Sequence, residues 1–397
     1  MDYFLTDFQK EIRRLAHEIA EKEIRPVAQH YDRSGDFPWP VVRLIAQADL
    51  FRVFVAEEYE GMAGSEPIFN MVLVTEQLSR ACGGIALAFA GTALGALPII
   101  LAGTEEQKQR FLPDIAAGKR LAAFALTEPQ AGSDAGAITA TAIRDGEDYV
   151  LNGTKQWITN GGEAEIYCVF ALTSPDKGPR GASCLVVEKG TPGFEFGKKE
   201  DKMGIRASAT RELSFQDCRV PVWNRLGREG TGFITALKTF DVSRPGVAAQ
   251  AVGIAQGALD LAVQYACTRR QFGSPVSAFQ GLRFSLADMA TRVEAARALT
   301  YAVSRYVDSS PRGRATMYSA MSKCFASDVA VQVTTDAVQV FGGYGYMRDY
   351  PIEKYMRDAK ITQIYEGTNQ IQRDEISKIL IGECVRGGTE NPGLNFT

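Results

Sequence analysis

The chain has 397 residues, a net charge of −3, and 45% hydrophobic and 23% charged residues. That is enough to bury a large core in two or three domains, and the mixed charge leaves no basic footprint for nucleic acid. Its seven cysteines (82, 168, 184, 218, 267, 324, 384) are odd in number, scattered and without a CxxC pair, which argues against a disulfide framework or a zinc site and fits a reducing compartment. The only histidines, His17 and His30, are both expected in the first helix, which argues against a histidine triad, a Cys–His pair or a histidine-based metal site elsewhere. Chemistry is left to carboxylates, backbone groups or a bound cofactor.

The first hundred residues read as helical. Phe4, Phe8, Ile12, Leu15, Ile19 and Ala20 recur at helical spacing up to a break near Pro26. Short helices are predicted around 40–50 and 67–82, the second with Met71, Val74 and Leu78 on one side. Met1 to Lys10 carries acids and aromatics ahead of any apolar run, so no signal peptide is expected. Residues 83–103 contain no charge and reach the length of a spanning helix, but Gly91, Gly95 and Pro98 interrupt them, and the stretch reads as a buried core helix without membrane insertion. Thr104-Glu-Glu-Gln107 is a capping-box pattern that opens a further helix ending at Gly118.

From Leu121 to about Val222 the pattern turns strand-like. Stretches 138–143 and 149–151 flank Asp145-Gly146, a hairpin-turn dipeptide, and 166–172, 182–187 and 211–215 are rich in strand formers. After Gly230-Thr231-Gly232 helical spacing returns over 233–267, 279–307 and 314–340, with shorter helices beyond Tyr350, enough for a four-helix bundle. The expected class is α+β: an all-α domain over 1–120, a middle β-sandwich or barrel domain over 121–230, and a helical bundle over 231–397.

The segment Ile364-Tyr365-Glu366-Gly367-Thr368-Asn369-Gln370-Ile371-Gln372-Arg373 places a carboxylate at a turn. Gly367 breaks regular structure, and Thr368 or Asn369 can cap a new helix with Ile371, Ile376, Ile379 and Leu380 on its inner side, stopping at Gly382. The helix dipole keeps Glu366 ionised, while apolar surroundings raise its basicity once water is excluded. Such a group suits abstraction of a weakly acidic C–H proton, and equally suits a capping glutamate without chemistry.

The wording of this segment resembles the catalytic segment of the acyl-CoA dehydrogenases, the short- and medium-chain type in particular, and the resemblance extends over nearly the whole chain. It implies the three-domain architecture above, FAD as cofactor, and Glu366 as the base that takes the α-proton of an acyl-CoA thioester. Phe124-Ala-Leu126-Thr127-Glu-Pro-Gln-Ala-Gly132-Ser133 matches the family segment lining the flavin ring, with Ser133 also near the CoA pantetheine; alone it is an ordinary turn. Trp157-Ile-Thr159 matches the segment in which an indole covers the flavin and a hydroxyl two residues on, facing the same side of a strand, bonds near N5; alone it is a core tryptophan.

Asp241 and Arg244 are carried over as substrate-side residues, although an ion pair on one helix explains them nearly as well. Tyr365 and Gly367 flank the base and are assigned to substrate. Relatives of the isovaleryl and long-chain types place the catalytic glutamate immediately before this arginine, where this chain has Ser243, leaving Glu366 as the one candidate. Arg269 and Phe272, and Gln339, Gly342 and Gly343, match family residues that reach the FAD of a neighbouring subunit, and Thr368 and Gln370 match FAD contacts after the base. Their bland readings are a solvated arginine pair and a helix C-terminus.

The resemblance thus implies a homotetramer built as a dimer of dimers, an acyl-CoA substrate, an electron-transfer flavoprotein as partner and no metal. A bacterial cytoplasm is the expected location, or a mitochondrial matrix after removal of a transit peptide. Residues 85–101 should line the acyl pocket, where Phe89, Ala90, Thr92, Ala93 and Leu94 offer no charge, which disfavours a dicarboxylyl substrate and leaves short, medium, branched or alicyclic acyl groups. An acyl-CoA oxidase and a catalytically silent binding protein are the alternatives.

Overall fold

In the computed structural model the described residues are 3–309 and 315–387. Helix α1 (Asp7–Ile19) starts at a capping box in which the Gln9 N–H donates to Thr6 Oγ1 (3.2 Å) and the Thr6 N–H to Gln9 Oε1 (3.0 Å). The break near Pro26 is a 3-10 turn over Arg25–Val27. Then come α2 (Ala28–Ser34), α3 (Trp39–Gln47), α4 (Pro67–Ala81), α5 (Gly83–Ala102) and α6 (Glu105–Ala116), the last opened by the predicted Thr104–Gln107 capping box. α4 is buried on all sides and not on one, because α1, α5, α7 and α8 all pack against it.

The middle of the chain forms one eight-stranded sheet. Its strands are β1 (Ala122–Ala125), β2 (Thr141–Asp145), β3 (Asp148–Thr159), β4 (Ile166–Leu172), β5 (Ala182–Glu188), β6 (Phe194–Lys199), β7 (Thr210–Pro221) and β8 (Arg225–Leu226). The order is β6-β7-β3-β2-β4-β5-β8, with β1 running parallel to β4. Asp145 faces Asp148 across the predicted hairpin, and Gly146 supplies the positive φ (+63°) that the turn needs. The β3–β7 register slips between Lys155 and Ile158, so the strand bulges at Trp157, whose φ is +57°.

The C-terminal part contains α7 (Gly232–Thr268), a β9–β10 hairpin (Arg270–Gln271, Ser274–Pro275), α8 (Gln280–Asp308), α9 (Ala315–Phe341), α10 (Ile352–Ile361) and α11 (Asn369–Gly387). α11 does not stop at Gly382: one glycine in an exposed helix costs only about 1 kcal/mol. Its expected inner face is half open, with Ile371, Ile376 and Ile379 partly buried and Leu380 exposed.

Among the described residues two helices, α5 and α7, have the length and mean hydropathy of a membrane span, and both lie largely inside the protein. Glycine lets them in. A Cβ on Gly95 would stand 2.4 Å from the Ala123 nitrogen, so α5 rests directly on β1. A Cβ on Gly253 would stand 2.2 Å from the Glu76 carbonyl, so α7 lies backbone-close to α4. These close packings converge α5, α7 and the end of β3 on the turn ahead of α11.

Candidate active site

Glu366 sits in that turn in the left-handed region (φ +57°), followed by Gly367 at φ +85°. A non-glycine residue there is strained, by roughly 1–3 kcal/mol, so the surroundings hold it in place. Thr368 Oγ1 accepts from the Ile371 N–H (3.3 Å) and opens α11 as the predicted cap. Glu366 Oε2 accepts a hydrogen bond from Ser243 Oγ (2.9 Å) on α7. Burial raises the carboxyl to about 7, against the opposing pull of the Ser243 hydroxyl, Arg244 and Lys323. The Glu366 N–H has no acceptor among the described residues.

The carboxylate opens on a narrow cavity of about 60 Å³ lined by Met71 of α4, Leu87, Ala90, Gly91, Leu94 and Leu97 of α5, Thr159 of β3, Ser243, Gly246, Val247 and Gln250 of α7, and Tyr365. Apart from Glu366 the lining carries no charge. α5 contributes the expected Ala90 and Leu94, but not Phe89, Thr92 or Ala93. At 100° per residue, 87, 90, 91, 94 and 97 share one face and 89, 92 and 93 look away. Phe89 instead packs on Phe51 and Phe54, and the Thr92 hydroxyl accepts from Asn160 Nδ2 (3.2 Å). Gln250 blocks the chamber: its Nε2 donates to the Gly83 carbonyl (3.0 Å) and its Oε1 accepts from the Tyr365 hydroxyl.

The other predicted residues divide into groups. Trp157 is 60% exposed, and Thr159 lines the cavity. The bulge sets the indole's direction, so plain strand alternation does not relate the two. Gly132 and Ser133 are exposed on an open loop, while Phe124 packs on Phe170 and Phe240 (4.8 and 5.6 Å) and Leu126 is buried. The carbonyls of Leu126 and Thr127 accept from Lys155 Nζ (3.0 Å) and the Gln156 N–H (2.8 Å), which ties this segment to β3.

Arg244 does not pair with Asp241. It forms an ion pair with Glu375 of α11, and its guanidinium lies over the Phe240 ring (5.7 Å). Burial raises the Asp241 carboxyl, against the Thr316 hydroxyl and Arg244. Arg269, Gln339, Gly342 and Gly343 line a separate cleft of about 450 Å³ that shares no residue with the Glu366 cavity. Phe272, at the tip of the β9–β10 hairpin, is 94% exposed. Gln370 is exposed at the start of α11. Ser243, Gln250, Met71 and Lys323 join the site with no local signal beyond the position of Ser243 beside Arg244.

Three models of acyl-CoA dehydrogenase domains match the chain in order: the N-terminal domain over residues 6–119, the middle domain over 123–218 and the C-terminal domain over 230–381. The chain belongs to the acyl-CoA dehydrogenase family. It is 48% identical over 380 residues to an acyl-CoA dehydrogenase of Bacillus subtilis, covering 95% of this chain and 99% of the relative. It superposes on butyryl-CoA dehydrogenase from Megasphaera elsdenii with TM-score 0.93 at 45% identity, covering 96% of this chain and 100% of the other. A chain of the structure described as 'Electron transferring flavoprotein of Acidaminococcus fermentans: Towards a mechanism of flavin-based electron bifurcation' matches with TM-score 0.92 at 48% identity over 96% of this chain and 100% of that one.

As an acyl-CoA dehydrogenase the protein is an FAD-dependent oxidoreductase with the three-domain fold of the family. The surface beside the cavity fits a flat heterocycle. The Trp157 indole is open, and a Cβ on Gly132 would meet nothing within 4 Å. No group of residues suited to a metal ion occurs among the described residues.

Proposed function

We propose that the protein dehydrogenates a short saturated acyl-CoA across its α and β carbons, with Glu366 as the base. The observation that carries this reading is a carboxylate raised to about 7 at the mouth of an otherwise uncharged cavity that Gln250 and Tyr365 close off. At about 60 Å³ the chamber has room for roughly four to six water-sized groups, which suits a chain of a few carbons and offers nothing to a distal carboxylate. The butyryl-CoA dehydrogenase likeness supports the same size class.

In this reading the acyl tail enters between α5 and α7, and the thioester carbonyl accepts from the unpartnered Glu366 N–H. Such a donor contributes about 3–4 kcal/mol to the developing enolate. Glu366 takes the α-proton, the bond to the β-hydrogen supplies a hydride, and a 2-enoyl-CoA results. FAD supplies the hydride acceptor. Trp157, Thr159, Thr127, Gly132, Ser133, Thr368 and Gln370 are the residues that would hold it. Ser133, Asp241 and Arg244 are proposed on the CoA side, with Arg244 acting through its ion pair with Glu375 as much as by direct contact.

An electron-transfer flavoprotein is the proposed acceptor, in line with the Acidaminococcus likeness. The cleft of Arg269, Gln339, Gly342 and Gly343, with the exposed Phe272, is proposed to meet the FAD of a neighbouring copy in a homotetramer; sedimentation of a monomer with full flavin content would refute this. Domain limits near residues 120 and 230 follow the change from helix to sheet and back. All seven cysteines are free, which supports a reducing compartment such as a bacterial cytoplasm.

The decisive experiment is an anaerobic titration of the flavin-loaded protein with acyl-CoAs of graded length. Bleaching of the flavin by the shortest members, with longer chains failing, is the expected result. Flavin that no acyl-CoA reduces would overturn the reading, and rapid reoxidation by oxygen would make the protein an oxidase.

A further inference from the structure

Lys323 of α9 is completely buried, and among the described residues no carboxylate lies within ion-pair distance of its ammonium. It binds neutral oxygens only, the Gly367 carbonyl (2.7 Å) and Asn369 Oδ1 (3.0 Å). Asn369 is itself fixed, its Nδ2 donating to Ser327 Oγ and Asp328 Oδ1 (2.8 Å each). From the α11 side, Gln372 Nε2 donates to the carbonyls of Glu366 (3.0 Å) and Gly367 (2.9 Å). Both carbonyls that follow the base are therefore gripped from behind, and with planar peptides that fixes the left-handed turn.

A buried cation without a counter-ion is a costly way to fill the space under a loop, and a methionine would pack as well. What compensates the charge is the Glu366 carboxylate in front of it, which among the described residues has no ion-pair partner and which Lys323 attracts without touching.

We propose that Lys323 is a positioning residue of the dehydrogenation: it holds the Glu366–Gly367 turn through the Gly367 carbonyl and sets a fixed positive charge behind the base. This rests on the functional reading above. Lys323 leaves the carboxylate free to move its proton, aims it, and favours its ionised form. Burial lowers the ammonium to about 8, so it is charged at neutral pH. The other groups that face Glu366 are Ser243 and Arg244 of α7, the latter paired with Glu375 of α11, and Tyr365 of the same turn; Cys324 and Asp328 lie near Lys323.

The test compares Lys323→Met and Lys323→Gln with the wild-type holoenzyme, using butyryl-CoA. Lys323→Met should lower kcat about a hundredfold through misplacement of the base. It should also move the acid limb of the kcat–pH profile up by about half a pH unit, less than loss of the Ser243 hydroxyl would, since removing the cation favours the protonated carboxyl. Butyryl-CoA binding to the oxidised holoenzyme, read by calorimetry, should change less than about threefold, because the acyl cavity is untouched. Lys323→Gln keeps a donor for the Gly367 carbonyl, so it should recover most of kcat while retaining the shifted limb. An unmoved acid limb in either variant, or a loss of kcat that only follows loss of binding and melting temperature, would make Lys323 a packing residue. If Lys323→Met does not fold, Lys323→Gln decides on its acid limb alone. A wild-type enzyme whose flavin butyryl-CoA does not bleach would remove the functional reading and this inference together; bleaching with an unmoved limb removes the inference alone.

Discussion

Two glutamates among the described residues, Glu128 buried and Glu366 partly buried, each have a buried lysine close by, and the two pairs are built in opposite ways. In the β domain Lys155 Nζ grips Glu128 directly at 2.7 Å, and both side chains are closed to solvent. Glu128 also accepts from the backbone N–H groups of Thr139 (2.7 Å) and Ala140 (3.0 Å) and from the Thr139 hydroxyl (2.8 Å). Burial pushes this carboxyl up, but Lys155 and the two N–H groups more than offset it and leave the group below its ordinary value. At the head of the bundle, Lys323 grips the backbone behind Glu366, the carboxylate keeps one hydroxyl partner, and burial prevails, raising it to about 7. A carboxylate saturated with donors is a strut, here tying the loop after β1 to β2 and β3. One left with a single weak donor at a cavity is a base near neutral pH.

The contrast is broken most severely by Glu366→Gln. Turnover should fall about 10³-fold or more with acyl-CoA binding kept, measured by flavin bleaching and calorimetry. The same variant should be more stable than wild type at about pH 8, by roughly 1–3 kcal/mol, with the advantage fading as the pH falls toward the ordinary carboxyl range. The sign follows from the raised value. Glu366 adds stability while protonated, and that contribution is lost as pH rises through about 7, a loss that glutamine does not suffer. Chemical denaturation at the two pH values checks it.

Glu128→Gln tests the other side. Breaking a buried pair should cost about 3–5 kcal/mol by leaving Lys155 uncompensated, and adding Lys155→Met should recover much of the loss. Denaturant midpoints of the single and double variants measure this.

The smallest loss of turnover is expected of Ser243→Ala. Its hydroxyl favours the ionised form of Glu366, so the acid limb of kcat should move up by less than about one pH unit, with kcat at its plateau reduced only a few-fold. A shift to lower pH would mean that the hydroxyl prefers the protonated acid.

Much of this was legible in the residues themselves. Thr104 announced its helix, Asp145-Gly146 its hairpin, and Glu366-Gly367-Thr368 a turn followed by a cap, because capping and turn chemistry act within four residues. Strand β1, made of three alanines and a phenylalanine, and β8, two residues long, gave no such sign. Glycine pauses misled at Gly382, where the helix simply continues.

The sequence by itself determined the order of helical, sheet and helical segments, the turn that carries Glu366, and the lack of any histidine beyond residue 30. Only the tertiary structure decided that Arg244 answers Glu375 and not Asp241, that Gln250 and Tyr365 close the cavity beside Glu366, which face of α5 lines it, and that Lys323 stands behind the Glu366 turn. Helix period, caps and turns are set by neighbours along the chain. These pairings join residues 43 to 131 positions apart, 366 with 323 at one end and 375 with 244 at the other, and exist only once α7, α9 and α11 have packed.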